Sequence, residues 1–494
     1  MPKRIAVIGG GLSGLTAAFY VLKRAPETAV TLFESGSRLG GVIATESVPS
    51  TDPAHPESGR FVIDHGADMF ATEPPAALEL CRDLGVEDQL ILPDVKRAGA
   101  MILHNGALVP IPDGFVLMRA TKLWPMLATP LLSVGGKLRF LCERWIGPLP
   151  ERTGHAGGDV SVADFVRHRM GSETLDRLVG ALVAGIYTAD IERLSMNATM
   201  APLAAMVDQH GSFAAATKQR RRQNKDNTER HSAGARYEKF RSFAGGMQQL
   251  IDALVAGIDA AAIEMETAVT GLEFNPEDSD QPDSAWWRVD AGGQSHEFDQ
   301  VVLATPAAVS SRLLVSVREQ SVLAECQTAS EQLAAIPSAS TAIVVLCVHQ
   351  SQLTRLPQRF GFVVPPIENR NILAVSFASH KYPVRCPADH CIIRVFVGGA
   401  TQAALLDQSD EALIEMVRGE LADLIGMQGR ETLSRVVRWQ DAMPQYHVGH
   451  LQRVSQIQDA IARVPGLYLT TNALQGVGIA AVVGAAKRVA QQLG

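Results

Sequence analysis

Apolar positions change period several times along the chain, and these changes outline its organisation. Arg4-Ile-Ala-Val-Ile8 is a short apolar run of the kind that forms a strand buried on both faces. Gly9-Gly-Gly-Leu-Ser-Gly14 follows at once, then a helical stretch, then a second apolar run, Ala29-Val-Thr-Leu-Phe33, closed by Glu34. Over 74–89 the spacing is helical, with Ala77, Leu80, Cys81 and Leu84 on one face and Gly85 as a stop. From 115 to about 225 it stays mostly helical, and Ser161 with Asp164 forms a capping-box-like start. Gly245-Gly246 leads into a further helix, 268–274 reads as a strand, and 301–306 is an apolar strand ending in Thr-Pro. Residues 340–348 and 391–397 are β-rich, with Pro365-Pro366 marking a turn, and the chain finishes with a strand at 467–471, a loop at 472–478 and a helix from about 479. Polar stretches separate these elements: a surface loop at 51–59, an acidic hairpin loop at 277–284, and a mostly basic stretch at 218–236. The last reads either as a solvated loop or as a contact for acidic lipid headgroups.

The opening strand, glycine turn, helix, strand and acid together form a dinucleotide-binding unit. Gly9 permits the tight turn, Gly11 lets backbone approach a pyrophosphate, and Gly14 allows the helix to pack closely on the sheet. The helix start presents free N–H groups to phosphates. Glu34 stands twenty residues past Gly14, where its carboxylate can accept hydrogen bonds from ribose hydroxyls and repel a 2′-phosphate.

Composition narrows the partners more than the fold. A chain of 494 residues suggests about three domains. A net charge of −7 argues against nucleic acid as the main partner, because phosphate binding needs a basic face. The six cysteines show neither a CxxC pair nor metal-ligand spacing, as expected of buried thiols in a reducing cytosol. Met1-Pro-Lys-Arg passes directly into the first strand, so a cytoplasmic location without a signal peptide is expected. The nearest approach to a spanning segment, 115–132, is broken by Arg119, Lys122, Pro125 and Pro130. Its mixture suits a helix lying on a membrane surface, and equally a helical core or the wall of a channel for a greasy substrate.

Gly476-Val-Gly478 opens the last helix. Alone it is also readable as a plain turn; beside the N-terminal motif it suits a second contact on a long cofactor. FAD fits better than NAD, because its isoalloxazine and ribityl chain extend beyond the first βαβ unit. Glu34-Ser-Gly-Ser-Arg-Leu-Gly-Gly41 resembles the second cofactor motif of the monoamine-oxidase-like FAD superfamily. Further segments, in family order across nearly the whole chain, resemble oxygen-dependent protoporphyrinogen and coproporphyrinogen oxidases. They are Asp64-His-Gly-Ala-Asp-Met-Phe70, Leu182-Val-Ala-Gly-Ile-Tyr-Thr-Ala-Asp190, Leu194-Ser-Met-Asn-Ala-Thr199, Phe243-Ala-Gly-Gly-Met247, Val395-Phe-Val-Gly-Gly-Ala400 and Pro444-Gln-Tyr-His-Val-Gly-His450.

This resemblance implies an α/β fold: a Rossmann-type FAD-binding domain assembled from 1–95, 230–305 and 445–494, an α+β substrate domain with a mixed sheet from 96–114 and 306–444, and an inserted, membrane-associated helical domain at 115–229. It implies that Gly9, Gly10, Gly11, Leu12, Ser13, Gly14, Glu34, Ser35, Arg38, Gly41, Val42, His65, Gly66, Ala67 and Asp68 surround FAD. Val269 would offer backbone hydrogen bonds to adenine, while Asn472, Val477, Gly478 and Ile479 would approach the flavin and pyrophosphate. Phe360, Gly361 and Val363 are expected to line the pocket, with a ring stacked on a pyrrole, and Arg97 is the candidate for a propionate; Lys96, Arg119 and Lys122 are alternatives. No side chain is assigned as acid or base and no metal is expected. By resemblance, flavin N5 accepts hydride from a porphyrinogen in three two-electron steps, and O2 is reduced to H2O2. A homodimer, a membrane surface and the next enzyme of haem synthesis are the further partners that it suggests. Two other classes stay open: an amine oxidase or carotenoid-type desaturase on the same scaffold, against which 182–199 and 243–247 argue, and a non-catalytic flavin-binding scaffold.

Overall fold

The computed structural model describes residues 2–50, 59–147, 158–223, 237–258, 263–276 and 285–493. The loop expected at 51–59 (except Gly59), the acidic loop at 277–284 and the basic stretch after Gln223 (up to 236) lie outside the described residues.

Five parallel strands form the first sheet, in the order Ile263–Glu264, Ala29–Phe33, Arg4–Ile8, Gln300–Leu303, Leu467–Leu469. The continuous apolar run at the start of the chain is explained by cover on both faces. Ile5 and Val7 pack with the helices Leu12–Arg24, Ala76–Asp83, Gln248–Ala256 and Ile479–Gln492. Ala6 and Ile8 pack with the antiparallel meander Val269–Asn275, Trp286–Ala291, Gln294–Phe298 and the helices Ala307–Ser316, Leu323–Ala334 and His450–Ile461. Helix Ala76–Asp83 buries Ala77, Leu80 and Cys81, the face expected from its spacing.

A mixed seven-stranded sheet runs Leu433–Pro444, Ser338–His349, His390–Gly398, Ala374–Phe377, Gly361–Val363, Ala100–His104, Ala107–Pro110. Its one parallel pairing joins Gly361–Val363 to Ala100–His104, which brings a segment near residue 100 beside one 261 positions later. Segments 340–348 and 391–397 are the interiors of two of these strands.

The stretch from 115 departs from its helical expectation. It begins as a β-hairpin, Phe115–Val116 with Arg119–Ala120, turned at Leu117, which has φ 55. Of 115–132 only Leu123–Ala128 is helical. Pro125 is tolerated in the first turn, but Pro130 cannot continue the helix. Helices Val134–Leu141, Val162–Met170, Gly180–Tyr187, Met196–His210 and Phe213–Arg222 then share a core of their own. Ser161 Oγ accepts from Asp164 N at 3.0 Å, capping the second of these as its sequence indicated. All six cysteines are unpaired, and among the described residues no helix is long and apolar enough to cross a membrane.

Candidate active site

The glycines of the first turn are required by space. Gly9 has φ 110, and a Cβ there would stand 2.7 Å from the Ala304 carbonyl oxygen; one on Gly14 would collide with the Gly9 carbonyl. Helix Leu12–Arg24 therefore starts directly against the strand ends. Helix Ile479–Gln492 starts nearby, and both begin at a glycine N-cap, Gly11 and Gly478, with no side-chain cap and no acid in the first turn. Their first N–H groups have no intrahelical acceptor and sit at the positive end of each helix dipole. A groove of about 470 Å³ lies between them, lined by Leu12, Ser13, Gly41, Val477, Gly478 and Ile479 among others. Two uncapped helix starts facing one groove fit the pyrophosphate of a long dinucleotide.

Glu34, Ser35, Arg38 and Val269 flank this groove without lining it. Glu34 Oε2 accepts from Gly10 N at 2.8 Å, and Oε1 from Gly36 N at 2.7 Å, which fixes the carboxylate at the end of its strand. Ser35 Oγ is 3.4 Å from the same carboxylate. The segment leading to Val269 runs alongside, with Thr267 N donating to Glu34 O at 2.8 Å. Arg38 Nη1 donates to Leu39 O at 3.2 Å and Ile43 O at 3.1 Å, and Nη2 donates to Gly41 O, so this arginine staples its own loop. His65 turns away: its ring faces Glu46 at 3.5 Å, and only its carbonyl oxygen reaches inward, accepting from Trp439 Nε1 at 2.9 Å.

The groove opens into a second cavity of about 550 Å³; Val42, Ala67, Met69, Phe240, Asn472 and Val477 border both. Phe360, Gly361 and Val363 lie in the wall of this cavity, joined by Gly66 and Asp68 from the cofactor side and by Gly185, Ile186 and Thr188 from the end of helix Gly180–Tyr187. Phe360 is buried edge-on against Tyr237, with centroids 4.7 Å apart. A side chain on Gly361 would collide with the Val375 carbonyl, so the wall is flat there. This shape, mostly apolar with a few convergent polar groups, is that of a small-molecule site. A groove of about 640 Å³ beside the edge strand Leu467–Leu469 contains none of the residues expected to act.

None of the cations nominated from the sequence lines the cavity. Arg97 is half-buried in the turn Val95–Arg97, Lys96 borders a separate surface depression, Arg119 is buried with its guanidinium 3.3 Å from Thr217 Oγ1, and Lys122 precedes helix Leu123–Ala128. Ala100 occupies the cavity wall instead. The cations that do line it, Lys381 and Arg394, escaped the sequence reading. Lys381 Nζ is 2.8 Å, and Arg394 Nη1 3.0 Å, from Asp68 Oδ2, all three side chains being buried. Burial alone would raise the Asp68 carboxyl, but Lys381 and Arg394 outweigh it and hold the group well below the usual carboxylate range. Burial lowers Lys381, with Asp68 opposing. A charged residue in the middle of an otherwise apolar strand, His390-Cys-Ile-Ile-Arg-Val-Phe-Val-Gly398, was the available signal, since buried arginines need partners. Among the described residues no cluster of histidine, cysteine, aspartate or glutamate could hold a metal.

A parallel sheet whose helix starts converge on a dinucleotide groove, continuous with an apolar cavity walled by a mixed sheet, defines an FAD-dependent oxidoreductase. The chain belongs to the flavin-containing amine oxidoreductase family, whose model matches residues 12–494. It is 28% identical over 482 residues to a coproporphyrinogen III oxidase of Bacillus subtilis (strain 168), covering 97% of this chain and 95% of that one. It is 30% identical to the enzyme of the same name from Propionibacterium freudenreichii subsp. freudenreichii, covering 99% and 90%, and 27% identical to the chloroplastic protoporphyrinogen oxidase 1 of Arabidopsis thaliana, covering 96% and 84%. Among solved structures, one from Exiguobacterium sp. 255-15, provisionally named a protoporphyrinogen oxidase, superposes with a TM-score of 0.81 at 26% identity, covering 100% and 99%. Putrescine oxidase, at 16% identity and a TM-score of 0.67 with 100% and 99% covered, shares the fold.

Proposed function

We propose that this enzyme oxidises a porphyrinogen to the porphyrin, with coproporphyrinogen III favoured over protoporphyrinogen IX, and that O2 is the final acceptor, yielding H2O2. The observation that carries this reading is the broad apolar cavity opening directly onto the cofactor groove. Whole-length similarity to coproporphyrinogen III oxidases supports the choice of substrate. Bound FAD supplies two-electron acceptance, used three times per ring. The chain's own part is to hold and to shield. The N–H groups at Leu12, Ser13 and Ile479 would take the pyrophosphate, Glu34 the ribose, and the backbone at Val269 the adenine. Phe360 and Val363 give the macrocycle a flat apolar wall that excludes water. No side chain is given a proton-transfer role.

The same reading includes contact with a membrane surface, through which a poorly soluble product would pass to the next enzyme of haem synthesis. Trp124 and Trp145 are 77% and 69% exposed, and Leu123, Leu127, Val134 and Leu138 are exposed in the same stretch, with Lys137 and Arg144 interleaved. Apolar surface of this kind marks an interaction site.

Anaerobic mixing with each porphyrinogen, followed by admission of oxygen, tests the catalytic reading. Bleaching of flavin absorbance, its return with oxygen, and growth of porphyrin fluorescence are expected with the tetracarboxylic substrate. A yellow protein bleached by simple amines and by neither porphyrinogen would overturn it.

A further inference from the structure

The cavity wall formed by the mixed sheet changes character along its strands. Val363, Ala374, Phe396 and Ile343 are paired across four strands and form an apolar row. One step of the pleat away, Gly361, Ser376 and Arg394 form a second row, which is polar. Both rows line the same cavity, because residues two apart share a face.

The polar row has unused hydrogen-bonding capacity. Arg394 Nη1 is taken by Asp68 and Nη2 by the Gly66 carbonyl, but Nε is buried without a partner. Ser376 Oγ, on the neighbouring strand, is likewise buried and unpartnered. The Lys381 ammonium joins them, holding Asp68 and bordering the same space. Charge is unbalanced in the same direction: among the described residues this buried cluster sets Lys381, Arg385 and Arg394 against Asp64 and Asp68. A buried guanidinium N–H without an acceptor is costly, and its best complement is an ionised oxygen.

We propose that Arg394, Ser376 and Lys381 form a buried seat for one carboxylate-bearing arm of the substrate. The inference rests on the porphyrinogen reading and adds to it the residues that anchor an acidic arm. The macrocycle lies over the apolar row, and one acidic arm reaches across the pleat to the polar row. The cations foreseen near residue 97 lie outside this cavity, so the seat falls to the central strands of the sheet.

The experiment compares coproporphyrinogen III, its tetramethyl ester and protoporphyrinogen IX on the FAD-loaded wild type and the Arg394→Gln, Arg394→Lys and Ser376→Ala variants. Loss of a charge-assisted hydrogen bond predicts a KM for the free acid raised roughly tenfold or more in Arg394→Gln, with kcat within about threefold. Arg394→Lys should recover part of this, and Ser376→Ala should give a smaller rise in the same direction. The ester's KM should not respond. Equal responses of acid and ester would overturn the seat. Should Arg394→Gln fail to retain FAD, Ser376→Ala decides by the same comparison. Fluorescence titration with coproporphyrin III and its tetramethyl ester reads the seat without turnover: carboxylate-dependent weakening in the variants supports it and unchanged binding refutes it, even if the wild type oxidises no porphyrinogen.

Discussion

Arg385 Nη1 donates to Asp64 Oδ2 at 2.6 Å, and both side chains are 1% exposed. The pair joins the strand Arg60–Asp64, next to the cofactor-side segment 65–68, to the turn that follows the strand Ala374–Phe377 of the mixed sheet. Asp64 also accepts from Thr45 Oγ1 at 2.6 Å and Met247 N at 2.8 Å, while Arg385 Nε donates to Phe243 O at 3.1 Å. Removing one partner leaves the other charge buried and uncompensated. Arg385→Met should therefore lower stability by about 3–5 kcal/mol. Urea unfolding monitored by flavin release and by circular dichroism checks this; a loss below about 1 kcal/mol would show that the pair is not the joint it resembles.

Glu34→Ala should weaken cofactor retention. The carboxylate organises Gly10 and Gly36 and is proposed to hold the ribose, and hydrogen bonds to a charged group contribute about 1.5–3 kcal/mol. FAD titration of the apoprotein should show affinity reduced roughly ten- to a hundredfold. Unchanged affinity would move the ribose elsewhere.

Phe360→Ala removes the ring that stands against Tyr237 in the cavity wall. An aromatic contact contributes about 0.5–1.5 kcal/mol beyond its buried area, so KM for a porphyrinogen should rise roughly two- to tenfold or more. Phe360→Leu should fall between the two. An equal rise for the tetramethyl ester is expected, because this contact does not read charge; steady-state kinetics on both substrates makes the distinction.

The His450 ring stacks on Tyr446 with centroids 4.1 Å apart and is buried. Burial pushes its imidazole down to about 4 from 6.5, only partly opposed by the contact of Nε2 with the Leu474 carbonyl. The unfolded chain then takes up a proton between pH 6.5 and about 4 that the folded protein refuses, so stability falls as pH falls through that window. The loss attributable to this residue approaches about 3 kcal/mol near pH 4. His450→Gln should flatten that part of the stability profile whatever its effect at pH 7.5. A profile as steep as the wild type's would assign the acid sensitivity to other groups.

Replacing both Trp124 and Trp145 with aspartate should abolish sedimentation with anionic liposomes at low salt while leaving FAD content intact. Binding by wild type should also weaken as salt rises, since Lys137 and Arg144 act over a Debye length of about 10 Å at 0.1 M. Equal recovery of both proteins in the supernatant would remove the membrane contact from the proposal.

The cofactor end was legible because its signals are local. Gly9, Gly14 and Glu34 answer to the geometry of one turn and two strands, and their order in the chain is their order in space. The face of helix Ala76–Asp83 and the cap at Ser161 were readable for the same reason. The polar end of the apolar cavity was not, because it arises from contacts across great sequence distance: Lys381 meets Asp68 313 positions away. Arg394 sits in a strand whose alternation is hidden by burial on both faces. Arg97 was nominated by the family resemblance, yet it is Ala100, three residues later, that borders the cavity. The hairpin at Phe115–Ala120 shows the other failure, an apolar stretch whose composition suits a helix while a left-handed leucine turns it back on itself.

In the five-stranded sheet, Arg4–Ile8 is flanked by Ala29–Phe33 and Gln300–Leu303, and Leu467–Leu469 is added outside them. During synthesis at about 5–20 residues per second, that last strand, and the helix Ile479–Gln492 behind it, emerge roughly 20 to 90 s after the first. Until then the ribosome carries an unfinished sheet with an open edge at Gln300–Leu303 and only one of the two helix starts that line the groove. Cofactor capture thus waits for the emergence of this late strand and helix, and until then the nascent chain carries an unpaired strand edge, which favours aggregation.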